Sequence, residues 1–281
     1  MTNKDLIWVE IFSSKEVWPN TLIVWLMHGN EIVWEHVLNY IQQRVKLNKH
    51  KWTIITLIGN IDAYKNNVRF INSDLNRSFL IDDEFGDNER KRAHEIMYFF
   101  SNIKIDYVFD VHSTPSKSDP MILCSQQKES TELAKYFPIK YVVNNLINNL
   151  EWVSLLQYFV NKWAIGVAFE AWCHEDPETI QKWKIIAQTI LDIHNNKQSK
   201  MNKNQIIINT TDILHTSDPQ FAFSKSYKWF EIVRSGEIRG KDSQQSYSFT
   251  TDKILMIPNT KFQEDLKKKA RTWLVYFWQE Q

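Results

Sequence analysis

Uninterrupted apolar runs punctuate the first two thirds of the chain: residues 21–27 (TLIVWLM), 52–58 (WTIITLI), 105–111 and 164–169. Runs without polar alternation predict strands buried on both sheet faces. Residues 6–12 predict a further strand. Between the runs the apolar period lengthens. Val33, Val37, Tyr40, Ile41 and Val45 recur at helical spacing, which predicts a helix over 31–47. Further helices are predicted over 89–101, 131–137 and 178–194, the last entered through Asp176-Pro177. Strands alternating with helices predict an α/β domain with a largely parallel sheet.

Residues 195–204, NNKQSKMNKN, carry no apolar period and read as a linker. Beyond it the pattern changes. Short strands are predicted over 205–209, 229–233, 246–249 and 253–256, and a closing helix over 262–278. The expected organisation is a catalytic-type domain over 1–200 and a smaller β-rich domain over 201–281.

Composition narrows the function classes. Hydrophobic residues make up 43% and charged residues 24%, enough to bury a core and to exclude wholesale disorder. Lys+Arg 34 against Asp+Glu 33 leaves a net charge of +1, so no polyanionic partner is predicted. Two cysteines, Cys124 and Cys173, make no disulfide scaffold and no CxxC, which fits a reducing compartment. No stretch approaches the roughly 20 apolar residues of a membrane span, and MTNKDLIWVEIF has no signal-cleavage pattern. A soluble cytoplasmic protein is expected. With 6 glycines, no GxGxxG and no GxxxxGK[ST], nucleotide binding by those routes is disfavoured. The 12 tryptophans read as core and pocket walls, because no basic run interleaves with them as nucleic-acid stacking would require.

Three apolar runs end in residues suited to metal chemistry. The first runs into His28-Gly29-Asn30-Glu31, the third into His112-Ser113-Thr114, and the fourth into Glu170. In open α/β sheets, sites form beyond the carboxyl ends of the strands. His28 and Glu31 form an HxxE pair, and His112 can supply a third ligand. Two histidines, one glutamate and an open position make a catalytic zinc arrangement. The plainer reading is that His28 and Glu31 bond the helix start and that His112 is a satisfied buried histidine. Their coincidence at strand ends favours metal. Asp110 shares a strand face with His112, either orienting it or bonding nearby backbone. Arg69 and Arg77 read either as functional groups or as surface partners of Asp74, Asp82 and Asp83. A Cys173–His174 nucleophile is disfavoured, since adjacency in sequence is no evidence of a productive pair.

Taken together, HGNE, then Asn60, Arg69 and Asp74-Leu75-Asn76-Arg77, then Asp110-Val111-His112-Ser113-Thr114, then Phe169-Glu170 resemble the succinylglutamate desuccinylase/aspartoacylase family of zinc carboxypeptidase-like hydrolases. The resemblance covers about residues 21–171, and more weakly an accessory β domain near Lys253–Met256. It implies a zinc-carboxypeptidase-like domain with a largely parallel mixed sheet flanked by helices. It implies one zinc ion per chain on His28, Glu31 and His112, with Glu170 as general base. Arg69 would stabilise the oxyanion, and Asn76 and Arg77 would bind a substrate carboxylate. The implied activity is zinc-dependent deacylation of an N-acyl amino acid or similar small molecule, with no nucleic acid or membrane as partner and a homo-oligomer left open. The alternatives are a carboxypeptidase-like peptide hydrolase and a non-catalytic binding module. The chain departs from the family at Ala171-Trp172 and at Trp34, where small residues are usual. It also lacks any arginine between residues 151 and 166. Large Trp rings there would narrow the pocket or replace polar recognition by apolar contact.

Overall fold

The computed structural model describes residues 8–13, 19–32, 34–47, 52–80, 86–114, 119–146, 153–173, 176, 178–194, 201–215, 218, 220–256 and 273–280. The chain divides into two compact units, residues 1–142 with 150–206, and residues 143–149 with 207–281.

The first unit is built on strands β1 (Val9–Phe12), β2 (Asn20–Trp25), β3 (Thr53–Ile58), β4 (Tyr107–Thr114), β5 (Met121–Cys124) and β7 (Ile165–Cys173), and the chain leaves it within β6 (Tyr141–Asn144). Their order is β1-β3-β2-β4-β7-β5-β6. The centre is parallel: β2 pairs with β3 and β4, and β4 with β7. The flanks are antiparallel, β1 on β3 and β5 on β7. This is the mixed, largely parallel α/β architecture that the alternation predicts.

Helices α1 (Trp34–Leu47), α2 (Ile61–Lys65), α3 (Asn88–Phe99), α4 (Lys128–Ala134), α5 (Leu155–Val160) and α6 (Glu178–His194) flank the sheet, with a 3-10 turn at Leu75–Arg77. Val37, Ile41 and Val45 of α1 pack with Trp183, Ile186 and Ile190 of α6 over Ile23, Trp25, Phe109, Val111, Val167 and Phe169. Fully burying each such aliphatic side chain contributes about 1.5–3 kcal/mol. Because side chains alternate along a strand, that core fixes what the other face carries. If Phe109, Val111 and Phe169 point to α1 and α6, then Asp110, His112 and Glu170 point away from them.

The structure extends several predicted elements. β4 continues through His112 to Thr114, and β7 continues through Glu170 to Cys173 instead of stopping at Phe169. The short elements β5, β6, α2 and α5 carry too few residues to show a period and were not predicted. Among the described residues no helix is long and apolar enough to cross a membrane.

The second unit holds β8 (Ile206–His215), β9 (Ala222–Phe223), β10 (Glu231–Val233), β11 (Gly240–Lys241), β12 (Ser246–Tyr247), β13 (Lys253–Met256) and β14 (Trp273–Glu280). β8, β14, β13 and β10 pair antiparallel in that order, and β12-β11-β9 form a small antiparallel sheet. Phe221, Tyr227, Val233 and Leu255 make its core. The closing helix predicted over 262–278 is corrected here: 273–280 is a strand, and 262–272 lie outside the described residues. The segment WLVYFW is aromatic and branched, and both its edges are paired, by β8 and β13, which favours strand over helix.

Candidate active site

The site is assembled from the turns that follow β2, β3, β4 and β7. After β2 the chain turns sharply, with Leu26 at φ +52°, a left-handed conformation that costs a branched residue on the order of 1–3 kcal/mol. Two bonds from the end of β3 hold it. Gly59 N–H donates to Trp25 O at 2.8 Å and Asn60 N–H to Leu26 O at 2.7 Å. Asn60 then caps α2, its Oδ1 accepting from Ala63 N–H. Helix α2 passes directly over Gly29: a Cβ there would lie 2.2 Å from both Ala63 C and Tyr64 N. Only glycine fits between His28 and Asn30. Gly29 N–H also donates to Arg69 O at 3.1 Å, tying the HGNE turn to the arginine segment.

His28, Glu31 and His112 converge as the sequence predicts. Their ligand-type atoms lie within 4.8 Å of one another and all three residues are buried. His28 Nδ1 is 2.7 Å from Glu31 Oε1, and His112 Nδ1 is 3.4 Å from Glu31 Oε2. His112 Nδ1 is buried without an aligned hydrogen-bond partner. Two imidazole nitrogens and a carboxylate facing one point, without a protein group to satisfy them fully, fit a divalent cation.

Each histidine is backed by an aspartate on its far side. Asp74 Oδ1 lies 3.1 Å from His28 Nε2, and Asp110 Oδ2 lies 3.1 Å from His112 Nε2. The Asp110 contact is close but not aligned as a hydrogen bond. Burial alone acts to raise the Glu31 carboxyl, yet His28 and His112 hold it well below the usual carboxylate range. Burial acts to lower His112, yet Asp110 and Glu31 hold it well above its ordinary value. Asp74 behaves like Glu31: burial opposes its charge, but His28, Arg69 and Arg77 hold it well down.

Arg69 and Arg77 both reach Asp74, Arg69 Nη2 at 3.2 Å and Arg77 Nε at 3.5 Å from Oδ2. Both guanidiniums remain partly exposed, and Arg69 Nη2 also lies 2.8 Å from His28 Nε2. The expected ion pairs with Asp74 are therefore present. Asn76 sits in the 3-10 turn. Its Oδ1 accepts from Leu155 N–H at 3.0 Å, and its Nδ2 lies 3.3 Å from His112 Nε2.

Glu170 is the register partner of His112 across β4 and β7. Burial raises its pKa and Glu31 adds to that, while His112, His28 and Arg69 oppose it. Beyond this pair the ladder shifts, so that Thr114 faces Cys173, and Trp172 adopts φ +55°. This extra residue turns the Trp172 ring into the core, 5.5 Å from Trp183 and perpendicular to it. The expectation that Trp172 crowds the pocket is corrected accordingly. Cys173 is buried, and His174 and the Trp34 side chain lie outside the described residues.

Two positions escaped the sequence reading. Asp74 was read only as a charge partner, although its Oδ1 also accepts from Asn76 N–H, an Asx cap legible in D-x-N. Glu89 accepts hydrogen bonds from three consecutive backbone N–H groups, Ile71, Asn72 and Ser73. Nothing in its sequence context announces that.

Residues 18–148 match the model of the succinylglutamate desuccinylase/aspartoacylase catalytic domain. The match to this family thus covers a little under half of the chain. The chain is 27% identical over 181 residues to a "Probable aspartoacylase" of Prochlorococcus marinus (strain MIT 9313), covering 61% of this chain and 59% of that protein. The match thus spans less than two thirds of that relative's length. An N-acyl-aromatic-L-amino acid amidohydrolase (carboxylate-forming) of Xenopus tropicalis is 30% identical over 125 residues, 41% of this chain and 40% of that one. In fold, the chain superposes on succinylglutamate desuccinylase from Vibrio cholerae with a TM-score of 0.78 at 15% identity, covering 97% of this chain and 85% of the other. Murine aminoacylase 3 gives 0.65 at 18% identity, over 94% and 96%. Glu170 falls beyond the matched family residues, so its case rests on its pairing with His112.

Proposed function

We propose that this protein is a zinc-dependent amide hydrolase that removes the acyl group from an N-acyl amino acid or a similar small molecule. The observation that carries this reading is the buried His28–Glu31–His112 set, each imidazole backed by an aspartate, with Glu170 opposite His112. His28 Nδ1, Glu31 and His112 Nδ1 would hold the ion. Bound there, zinc lowers the pKa of water toward about 7 and polarises a carbonyl.

The chain's own residues do the rest. Asp74 and Asp110 orient the two imidazoles with Nδ1 toward the shared point. Glu170, raised by burial, takes the proton of the attacking water and passes it to the leaving amine as the C–N bond breaks. Arg69 donates to the carbonyl oxygen as it becomes anionic, where a preset donor is worth most. Arg77, with the side-chain amide of Asn76, grips the substrate carboxylate. The products are a free carboxylate and an amino acid.

Glu170→Gln tests this. Zinc content should stay near one per chain while turnover of N-acyl amino acids drops at least about 100-fold. Near-unaltered turnover would sink the assignment of the base.

A further inference from the structure

Glu89 stands in the first turn of α3 and is 1% exposed. Its Oε1 accepts from Ile71 N–H at 2.6 Å and from Asn60 Nδ2 at 3.2 Å. Its Oε2 accepts from Asn72 N–H at 3.0 Å and Ser73 N–H at 3.3 Å. One turn along the same helix, Arg92 donates from Nε to Gly59 O at 2.9 Å and from Nη2 to Ile58 O at 3.0 Å. Helix α3 thus grips two pieces of backbone at once. Arg92 holds the end of β3, and Glu89 holds the loop between Arg69 and Asp74.

The loop lies between the groups that matter. Residue 71 is two after Arg69, and residue 73 is next to Asp74. Three adjacent amide protons on one carboxylate leave the loop little freedom, since hydrogen bonds to an ionised acceptor are about twice as strong as neutral ones. Asn60 joins the same carboxylate to the cap of α2, whose backbone roofs Gly29. Glu89 therefore sits at the junction of every segment that carries Arg69, Asp74 and the HGNE turn, without itself bonding any of these residues' side chains.

We propose that Glu89 is a positioning residue. Its carboxylate, by collecting the amide protons of residues 71–73, sets where the Arg69 guanidinium and the Asp74 carboxylate stand relative to His28. This rests on the hydrolase reading above for its kinetic consequence but not for its structural one. A displacement of about 1 Å at a reacting geometry can cost on the order of 100-fold in rate.

Glu89→Gln in the zinc-loaded full chain replaces one acceptor oxygen by an NH2 that points at donors. Three readouts are taken: zinc content, hydrogen exchange at the amides of residues 71–73, and kcat/KM alone and in an Arg69→Ala background. The expected result is unchanged zinc, lost protection at those three amides, and a kcat/KM drop of at least about tenfold that shrinks below about twofold in the Arg69→Ala background. Equal losses in both backgrounds, or retained protection of the three amides, would overturn the proposal. Glu89→Asp, which keeps the charge but is one methylene too short, should show the same pattern if the Gln variant does not fold. Absence of hydrolysis by the unaltered protein would count against the hydrolase reading alone, and amide protection would then decide the role of Glu89.

Discussion

Asp74 holds His28 from the side opposite Glu31: its Oδ1 is 3.1 Å from Nε2 while Glu31 Oε1 is 2.7 Å from Nδ1. The ring is thus held between two carboxylates, and only the one on the Nδ1 side belongs to the proposed ion site. Asp74→Asn keeps the size and the oxygen that caps the 3-10 turn but removes the charge behind the ring. Zinc affinity should fall by about 10–100-fold. A competition titration with a chelating dye measures it, and Asp110→Asn should behave likewise through His112. Unchanged affinity in both variants would show that the aspartates do not tune the ligands.

Gly29 tests the roof of the site. In Gly29→Ala the new methyl group meets backbone atoms of Ala63 and Tyr64 at 2.2 Å, and backbone cannot swing aside as a side-chain tip can. Stability should drop by about 1–3 kcal/mol, read as a lower urea midpoint, and zinc binding should weaken with it. A midpoint equal to that of the unaltered protein would mean that α2 yields freely.

Arg69→Ala should lower kcat about 100-fold with zinc content unchanged, because a donor to a developing oxyanion acts chiefly in the transition state. Lysine at this position should restore little, since it lacks the planar fork that serves Asp74 and a carbonyl together. Rates for the Lys variant close to those of the unaltered protein would reassign Arg69 to charge alone.

The metal-free protein should have a bounded pH range of stability. Glu31 and Asp74 are depressed when folded, so their contribution is complete above their ordinary values of 4.5 and 3.8 and is lost as pH falls through the folded values. His112 and His28 are raised, so theirs is complete below the ordinary 6.5 and is lost as pH rises. Glu170, raised by burial, adds to the loss on the alkaline side of 4.5. Unfolding of chelator-treated protein should therefore give highest stability between about 4.5 and 6.5. Added zinc should reverse the upper slope, since it binds neutral imidazole and its contribution grows with pH. Stability of the metal-free protein that climbs steadily from pH 6 to 8 would contradict the charge pattern of the site.

Much of this was legible in the chain. The runs ending in His28, His112 and Glu170 needed only the rule that parallel strands are apolar throughout and deliver their sites at the carboxyl end. The motif around Asp74-Leu75-Asn76-Arg77 gave the arginines. Glu89 was hidden for a physical reason: three of its four donors are backbone N–H groups of an irregular loop, and backbone donors leave no mark on residue type. The closing strand was misread because a short aromatic run is compatible with either period, and its pairing with β8 and β13 is a long-range fact. The second unit also takes in residues 143–149. There Asn144 O accepts from Thr210 Oγ1 and its Nδ2 donates to Asn209 Oδ1, contacts that no local pattern contains.

The irregularity in β7 comes after Glu170, at Trp172, and the ladder up to the His112–Glu170 pair runs without a shift. On a strand, side chains have parity. One residue inserted between 165 and 170 would send the Glu170 carboxylate to the side of Trp183 and leave His112 facing a hydrocarbon. One residue inserted past 170 would leave parity upstream untouched. Tolerance of insertions and deletions should therefore change abruptly at a single peptide bond, and a scan of one-residue insertions along β7 would map that boundary directly.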